Sequence, residues 1–530
     1  MGFKINTILL LFLSISFHST TNGQKAKAHV LTADEAKMVK KDAATLFSSQ
    51  DYRGALNAYK DLIKSDPNNT EFNYRLGYCY LQTQINKPLA LEYMLKAMQG
   101  KDAKKEWNYS LGMAHMYNNQ WDEAISAFTE YQNAKIKPTK DNFPVDRLIE
   151  MCANGKDLVS KPVKCTFTNL GKNINTIYEE YSPFISADGK TLVFTSRRKG
   201  NSGGFIEDLG IFTSDIYWSI WKDTLWTKAK GIGGGVNSEW DEESVGLSPI
   251  GDQVMIYFDN TESFADIGFA LLKGKMWQRP IMFNTQINSK QYEGAATMTA
   301  DGNTVYFSSN RKEGNGGGDI WIIQKEKNGE WAAPVNLGLT INTKYDEDFP
   351  MLSLDGKSLY FSSKGWNSMG GFDIFRSDYD ENAKAWGKPI NIGYPLNDAD
   401  DNSFISFTGD GKTAYITAIR PGGLGDRDIY KVQFDDESHH KFSKVLSGTV
   451  TSAIGKIELT KVTLTNTSTS KQAEFRPAGP TNAFVFAVAP GVYTIKVEGY
   501  NFPSFTDTLT IDNDMTTTSV VKNIQVVAGK

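Results

Sequence analysis

The chain has 530 residues, a formal net charge of −4 and a pI near 5.9, so it lacks the basic excess that a nucleic-acid partner demands. It is several times longer than one hydrophobic core sustains, and three or so domains are expected. Three cysteines, Cys79, Cys152 and Cys165, cannot build a disulfide framework; Cys152 and Cys165 could pair across a domain junction or remain buried thiols.

Residues 1–23 read as a cleaved export signal. Lys4 precedes an apolar run from Ile8 to Phe17, and small or polar residues lead to Gly23-Gln24. No cysteine stands at that junction, so no lipid anchor is expected on the mature N-terminus. No later stretch reaches eighteen consecutive apolar residues, so no transmembrane span is expected.

From 31 to 155 the pattern is helical and repeats. Ala43, Gly77 and Gly112 are spaced 34 and 35 apart, and Ala55, Ala90 and Ala124 are spaced 35 and 34. Tyr59, Met94 and Phe128 each follow four residues later. These columns, with Leu76-Gly77-Tyr78-Cys79-Tyr80 and Leu111-Gly112-Met113-Ala114-His115, resemble tetratricopeptide repeats, whose small residues let two helices close on a large one. The second unit departs by one residue in its turn, around Asn86 to Pro88. The resemblance implies a concave face for a partner protein; the plainer alternative is a helical spacer.

From 161 to 434 the period changes to two. Asn175, Asn237, Asn288, Asn342 and Asn397 open five copies of one unit, at spacings of 62, 51, 54 and 55. Each copy holds four short strand-like runs divided by Asp-Gly or Gly-Gly turns. That pattern predicts a β-propeller of five blades, or six if one unit is degenerate. The run Val163 to Gly171 matches the outer strand of a blade, whereas the fifth copy ends at Phe434 without one. Pairing the two would close the ring and remove both sheet edges.

Within the repeat, the hydroxyl column (Ser186, Ser248, Thr299, Ser353, Thr408) and the aspartates before the third strand (Asp215, Asp266, Asp319, Asp373, Asp428) read as turn chemistry. Phe194, Ile256, Phe307, Phe361 and Ile416 should fill the space between blades. One pair of columns carries a candidate site. Glu180, Glu242, Glu293 and Glu347 stand five residues after the asparagine, with Asn402 in the fifth copy. Asp241, Asp346 and Asp401 stand one residue earlier, with Glu179 and Tyr292 in the other copies. Gathered at one mouth of a channel, such carboxylates would need cations or hydrogen-bond donors. They could form a cation site or a socket for a basic peptide, or they could bond backbone between blades. Beyond that possible cation, no cofactor or metal is expected.

Catalytic patterns fail on context. The glycine runs at 231–235 and 314–318 are followed by strands and offer no helix N-terminus for a phosphate. No G-x-S-x-G or zinc-type spacing occurs, and none of the histidines left after signal removal, His29, His115, His439 and His440, sits in a triad pattern. An enzyme is not expected.

A polar linker, 435–443, precedes alternating strands over 444–524 that suit a small sandwich. Ser447-Gly-Thr-Val, Ala489-Pro-Gly-Val-Tyr-Thr-Ile and Gly499-Tyr resemble the carboxypeptidase regulatory-like domain, a prealbumin-like sandwich without catalytic residues. The Ser-x-Asp-Gly-Lys-x-Leu-Tyr-Phe-Ser-Ser core is similar to TolB-type propeller repeats. The module order as a whole resembles the OmpA-family, PorE-like periplasmic proteins of Bacteroidota, and implies a periplasmic adaptor for envelope proteins, in type IX secretion or gliding. Two departures stand out: there is no acylated cysteine, and the chain stops where the OmpA-like domain would begin, so peptidoglycan binding is not carried over. The other class left open is a propeller that captures a peptide, glycan or cation.

Overall fold

The computed structural model describes residues 31–137, 143–204, 211–259, 265–437, 442–453, 455–478, 481–514 and 517–527. The export signal, His29 and the His439-His440 pair lie outside them.

Among the described residues, seven α-helices come first: α1 (Ala33–Ser48), α2 (Tyr52–Ser65), α3 (Thr70–Gln82), α4 (Ala90–Met98), α5 (Asn108–Met116), α6 (Trp121–Asn133) and α7 (Val145–Val159). A capping box starts α1: the Thr32 hydroxyl accepts from Glu35 N at 3.3 Å and the Glu35 carboxylate accepts from Thr32 N at 2.8 Å. The small-and-large columns do what the repeat spacing predicts. A Cβ placed on Gly112 would lie 2.5 Å from the Phe128 ring, and one on Gly77 would lie 3.1 Å from Met94. Ala43, Ala55, Ala90 and Ala124 are fully buried. The α7 helix extends past the expected boundary at 155, where Leu158 and Val159 continue packing onto the core that Leu148, Met151 and Cys152 share with Trp121 and Phe128 of α6.

Five curled sheets follow. The first runs Glu180–Ile185, Thr191–Ser196, Asp215–Lys222, Leu225–Trp226, with Lys230–Gly231 beside the third strand. The second runs Asp241–Leu247, Gln253–Asp259, Asp266–Lys273, Met276–Trp277, with Ile281–Met282. The third runs Glu293–Met298, Thr304–Ser309, Asp319–Gln324, Val335–Asn336. The fourth runs Glu347–Leu352, Ser358–Ser363, Asp373–Asp380, Ala385–Trp386, with Ile390–Asn391. The fifth takes Ile405–Phe407, Thr413–Ala418 and Asp428–Phe434 from its own repeat and Cys165–Asn169 from before the first. That last pairing is antiparallel, from Cys165 opposite Phe434 to Asn169 opposite Tyr430.

Main-chain bonds join the sheets into a ring. Glu242 N donates to Ser214 O at 3.2 Å, Glu293 N to Ala265 O at 3.0 Å and Glu347 N to Gly318 O at 2.8 Å. Asn402 N donates to Phe372 O at 2.6 Å, and Glu180 N returns to Arg427 O at 2.9 Å. Second-strand residues are sandwiched between sheets and buried on both faces; Phe194, Ile256 and Phe307 are 0 % exposed. The hairpin glycines 189, 251, 302, 356 and 411 have φ between 68° and 77°, the left-handed region that a Cβ disfavours. Inner strands carry bulges between Tyr181 and Phe184, Ser244 and Gly246, Glu293 and Ala296, and Asp348 and Met351, which bend them and redirect side chains. Near the centre, Phe404 meets Phe349 at 4.0 Å and Phe184 at 6.3 Å.

The last two sheets, ordered around Lys444–Ser452 and Glu458–Asn466, face each other across one core containing Leu446, Val462, Phe484 and Ile495. That core extends onto the hairpin turns of the ring at Ala187, Ile250, Ala300 and Leu354. The sandwich therefore covers one end of the ring. Arg476 N bonds Ala300 O at 3.0 Å, Thr481 Oγ1 bonds Asp252 Oδ2 at 2.8 Å and Thr518 Oγ1 bonds Asp410 Oδ2 at 2.9 Å. Cys79, Cys152 and Cys165 are free thiols.

Candidate functional site

The first acidic column turns into its own loop. Glu180, Glu242, Glu293 and Glu347 are 0 to 1 % exposed. Each carboxylate accepts from the backbone N–H and hydroxyl of the residue after the anchoring asparagine: Thr176, Ser238, Ser289 and Thr343. Second-strand hydroxyls add to three of them, with Ser196 2.8 Å from Glu180, Ser309 2.7 Å from Glu293 and Ser363 2.5 Å from Glu347. Arg198 reaches Glu180 at 3.1 Å and Arg311 reaches Glu293 at 3.4 Å. Burial raises the Glu180 carboxyl and pushes Glu242 and Glu347 up to about 7. These groups hold loops in place.

The second column reaches across to the preceding sheet. Asp241 accepts from Ser214 N at 2.7 Å and Oγ at 2.6 Å, Asp346 from Gly318 N at 3.1 Å, and Asp401 from Phe372 N at 2.9 Å. Glu179 pairs with Arg427 at 3.4 Å, Asp241 with Arg197 at 3.3 Å and Asp346 with Lys364 at 3.0 Å. The next position, which the sequence reading passed over, holds Glu243 and Asp348. Tyr181 Oη donates to Glu243 at 2.7 Å, and Ser308 Oγ donates to Asp348. Burial raises Glu243 and pushes Asp348 up to about 6. Tyr257 and Tyr292 stand beside them with ring centroids 5.8 Å apart, and Trp240 is 42 % exposed. Tyr292 was legible as the odd member of the acidic column. Glu243 and Asp348 were not, because only the bulged strand sets where they face.

The helical repeats supply a second surface. Tyr74 stacks on Trp107 at 4.1 Å, then Tyr78, Phe47 and Tyr52 continue the ladder at 6.0, 5.5 and 5.5 Å. Phe47, Tyr74 and Tyr78 lie on α1 and α3, the first helices of successive pairs, and Tyr109 on α5 extends the row. None of these four is fully buried. Rigid aromatic side chains bring large contact area at small entropic cost and suit an apolar partner segment.

The same helical stack is locked to the ring by buried charge. Lys87 Nζ lies 2.6 Å from Asp400 Oδ1, with side chains 8 % and 17 % exposed, and 5.0 Å from the centroid of Tyr117. Lys87 occupies the turn whose extra residue interrupts the repeat, so that irregularity is a docking element. Arg53 pairs with Asp426. Arg147 of α7 donates to the carbonyls of Lys364, Gly365 and Trp366 at 2.7–3.0 Å and to Ser368 Oγ at 2.8 Å. Sequence offered no signal for these contacts, which join residues more than 200 positions apart.

Among the described residues, no group of three or more His, Cys, Asp or Glu is placed to hold a metal, and no described helix is long and apolar enough to cross a membrane. The described histidine, His115, is buried with Nδ1 2.7 Å from Gln120 Oε1.

A comparison with curated proteins finds no match. Among solved structures, TolB from Acinetobacter baumannii aligns over 73% of this chain and 80% of its own, with 12% identity and a TM-score of 0.28. The first tetratricopeptide domain of Spaghetti (RPAP3) bound to an HSP90 peptide aligns over 24% of this chain and 98% of its own, with 15% identity and a TM-score of 0.20. The Yersinia enterocolitica type III secretion chaperone SycD, in complex with a peptide of the translocator YopD, covers 24% and 97%, with 16% identity and a TM-score of 0.19. Residues 43–105 match the family model for the tetratricopeptide repeat.

Proposed function

We propose that this chain is a non-enzymatic adaptor of the bacterial cell envelope, exported to the periplasm, whose helical repeats hold a segment of a partner protein while the β-rich body fixes that surface in space. The observation that carries this reading is the row of partly exposed rings Phe47, Tyr74 and Tyr78, backed by buried Trp107, on a stack clamped to the ring through Lys87 and Arg147. A binding face on rigid elements, held at a fixed angle to a second body, is what a scaffold needs. The first domain runs from about 31 to the end of α7 at Val159, and the others over about 161–434 and 444–524. Five sheets closed by five equivalent main-chain bonds support a five-bladed TolB-type propeller. Two sheets facing across one core support a carboxypeptidase regulatory-like sandwich. The order of modules supports a place among PorE-like envelope proteins, serving type IX secretion or gliding.

To test it, the chain is tagged at its C-terminus and crosslinked in intact cells, as wild type and as Tyr74→Ala/Tyr78→Ala. Recovery of outer-membrane or periplasmic subunits by the wild type, lost in the folded double variant, supports the adaptor. Recovery of the chain alone overturns it.

A second reading has its own support. The mouth bearing Glu243, Asp348, Tyr292 and exposed Trp240 has the chemistry of a socket for a cation, a basic peptide or a glycan. Titration calorimetry with a lysine-rich peptide, repeated on Glu243→Gln, would measure it.

A further inference from the structure

The ring and the sandwich border a partly open cavity of about 820 Å³ at the end of the ring opposite the acidic mouth. Phe184, Leu247, Met298, Met351 and Phe407 line it from the inner strands, and Val485, Phe486 and Tyr493 from the sandwich. Ligand sites of small molecules span about 300 to 1,000 Å³ and are mainly apolar, so the volume is in range. Leu247, Met298, Met351 and Phe407 are partly buried where they line the cavity.

The charged groups on its wall are already engaged. Lys357 pairs with Glu381 at 2.8 Å, Lys471 with the same carboxylate, and Lys444 with Asp512. Asp301 and Asp355 accept from the hydroxyls of Thr299 and Ser353 at 2.6 Å. A charged ligand would have to break one of these pairs to gain a partner, whereas an apolar one gains contact area without that loss.

We propose that this chamber is a binding site for a neutral, largely aliphatic or aromatic small molecule, held by Leu247, Met298, Met351 and Phe407 beneath the sandwich. The two methionines suit it, since their unbranched thioethers adapt to ligand shape. The site is separate from the helical ladder and does not depend on the adaptor reading.

The test uses the full mature chain and the neutral fluorophore N-phenyl-1-naphthylamine. Saturable binding of one probe per chain with a blue-shifted emission is expected, at least tenfold weaker in Met298→Trp and Met351→Trp, which fill the chamber. Met276→Ala, on an exposed outer hairpin, should leave it unchanged. A second measurement avoids dependence on variants that fail to fold: photolabelling of the wild type with a diazirine-bearing decanol, mapped by mass spectrometry. Labels on Met298, Met351 or Phe407 support the site. No saturable binding, equal binding by folded filled variants, or labels confined to exposed residues such as Met276 and Trp221 overturn it.

Discussion

Asn175 closes the ring through Ile429, 254 residues further along the chain. Its Nδ2 donates to the Ile429 carbonyl at 3.0 Å, and its Oδ1 accepts from the Ile429 amide at 2.9 Å. The same two-point contact joins Asn237 to Ile216, Asn288 to Ile267, Asn342 to Ile320 and Asn397 to Ile374. An asparagine side chain offers an N–H donor beside a carbonyl acceptor at the spacing of a peptide group, so each anchor acts as a one-residue strand against the preceding sheet.

Asn175→Ala should leave the buried Ile429 N–H without its partner, while the Ile429 carbonyl keeps the Leu170 N–H at 3.2 Å. At roughly 1–3 kcal/mol for an orphaned buried group, a loss of about 1–3 kcal/mol is expected. Urea denaturation should show it as a lowered midpoint, and Asn342→Ala, between neighbouring repeats, should lose a similar amount.

The Gly-Gly turns are packing devices. A Cβ on Gly316 would lie 2.0 Å from Tyr345 O, and one on Gly370 would lie 2.4 Å from Asp398 O, in each case backbone of the next repeat. Gly316→Ala should therefore cost about 1–3 kcal/mol by forcing two sheets apart. Gly234→Ala, with nothing within 4 Å of its Cβ, should be near neutral in the same thermal scan.

Lys87→Met takes the hydrogen-bonded cation from the largely buried Asp400 and leaves it only the field of Arg427, where loss of a buried partner typically costs up to about 3–5 kcal/mol. The helical stack should then come off the ring, seen as faster proteolysis between helices and sheets. Adding Asp400→Leu should restore protection, because the orphaned charge is gone. The wild-type pair is also pH-sensitive at both extremes. Asp400, held down chiefly by Lys87 against its burial, contributes stability that is lost as acid protonates it; Lys87, held up by Asp400, contributes stability that is lost in strong base.

Asp373 sets a slope with the opposite sign. Burial pushes its carboxyl up to about 8, while the unfolded group titrates near 3.9. Between those values the folded state keeps a proton that the unfolded chain has released, so stability falls as pH rises from about 4 to about 8. Glu242 and Glu347, at about 7, act in the same direction. Asp373→Asn should flatten the dependence of the urea midpoint between pH 5 and pH 8.5; an unchanged slope would remove Asp373 from this account.

Much of the architecture is written in local spacing. The columns of Ala43, Gly77 and Gly112 against Tyr59, Met94 and Phe128 specify helix pairs, and the Asn-to-Gly interval of each repeat specifies a hairpin. The helix pairs and hairpins are legible because each is satisfied by neighbours within one repeat, where backbone geometry alone places the partners, even though the asparagines themselves bond the preceding sheet. The need for a strand from 163–171 to complete the last sheet was legible too, because an unpaired edge is costly. The destination of the acidic columns was not. Glu180 and its equivalents turn inward to a loop amide, Asp241 and Asp346 cross to another sheet, and Glu243 and Asp348 reach the mouth, though all are adjacent in sequence. A bulge and a sheet boundary decide among these fates, and neither leaves a mark on composition. Lys87 with Asp400, Arg147 with the carbonyls at 364–366, and the chamber beneath the sandwich arise only when separate domains dock. Sequence by itself determined the repeats, because they are built from contacts at short range. Tertiary structure alone decided which charges are spent on holding domains together and which surfaces remain for a partner, because those contacts join residues hundreds of positions apart.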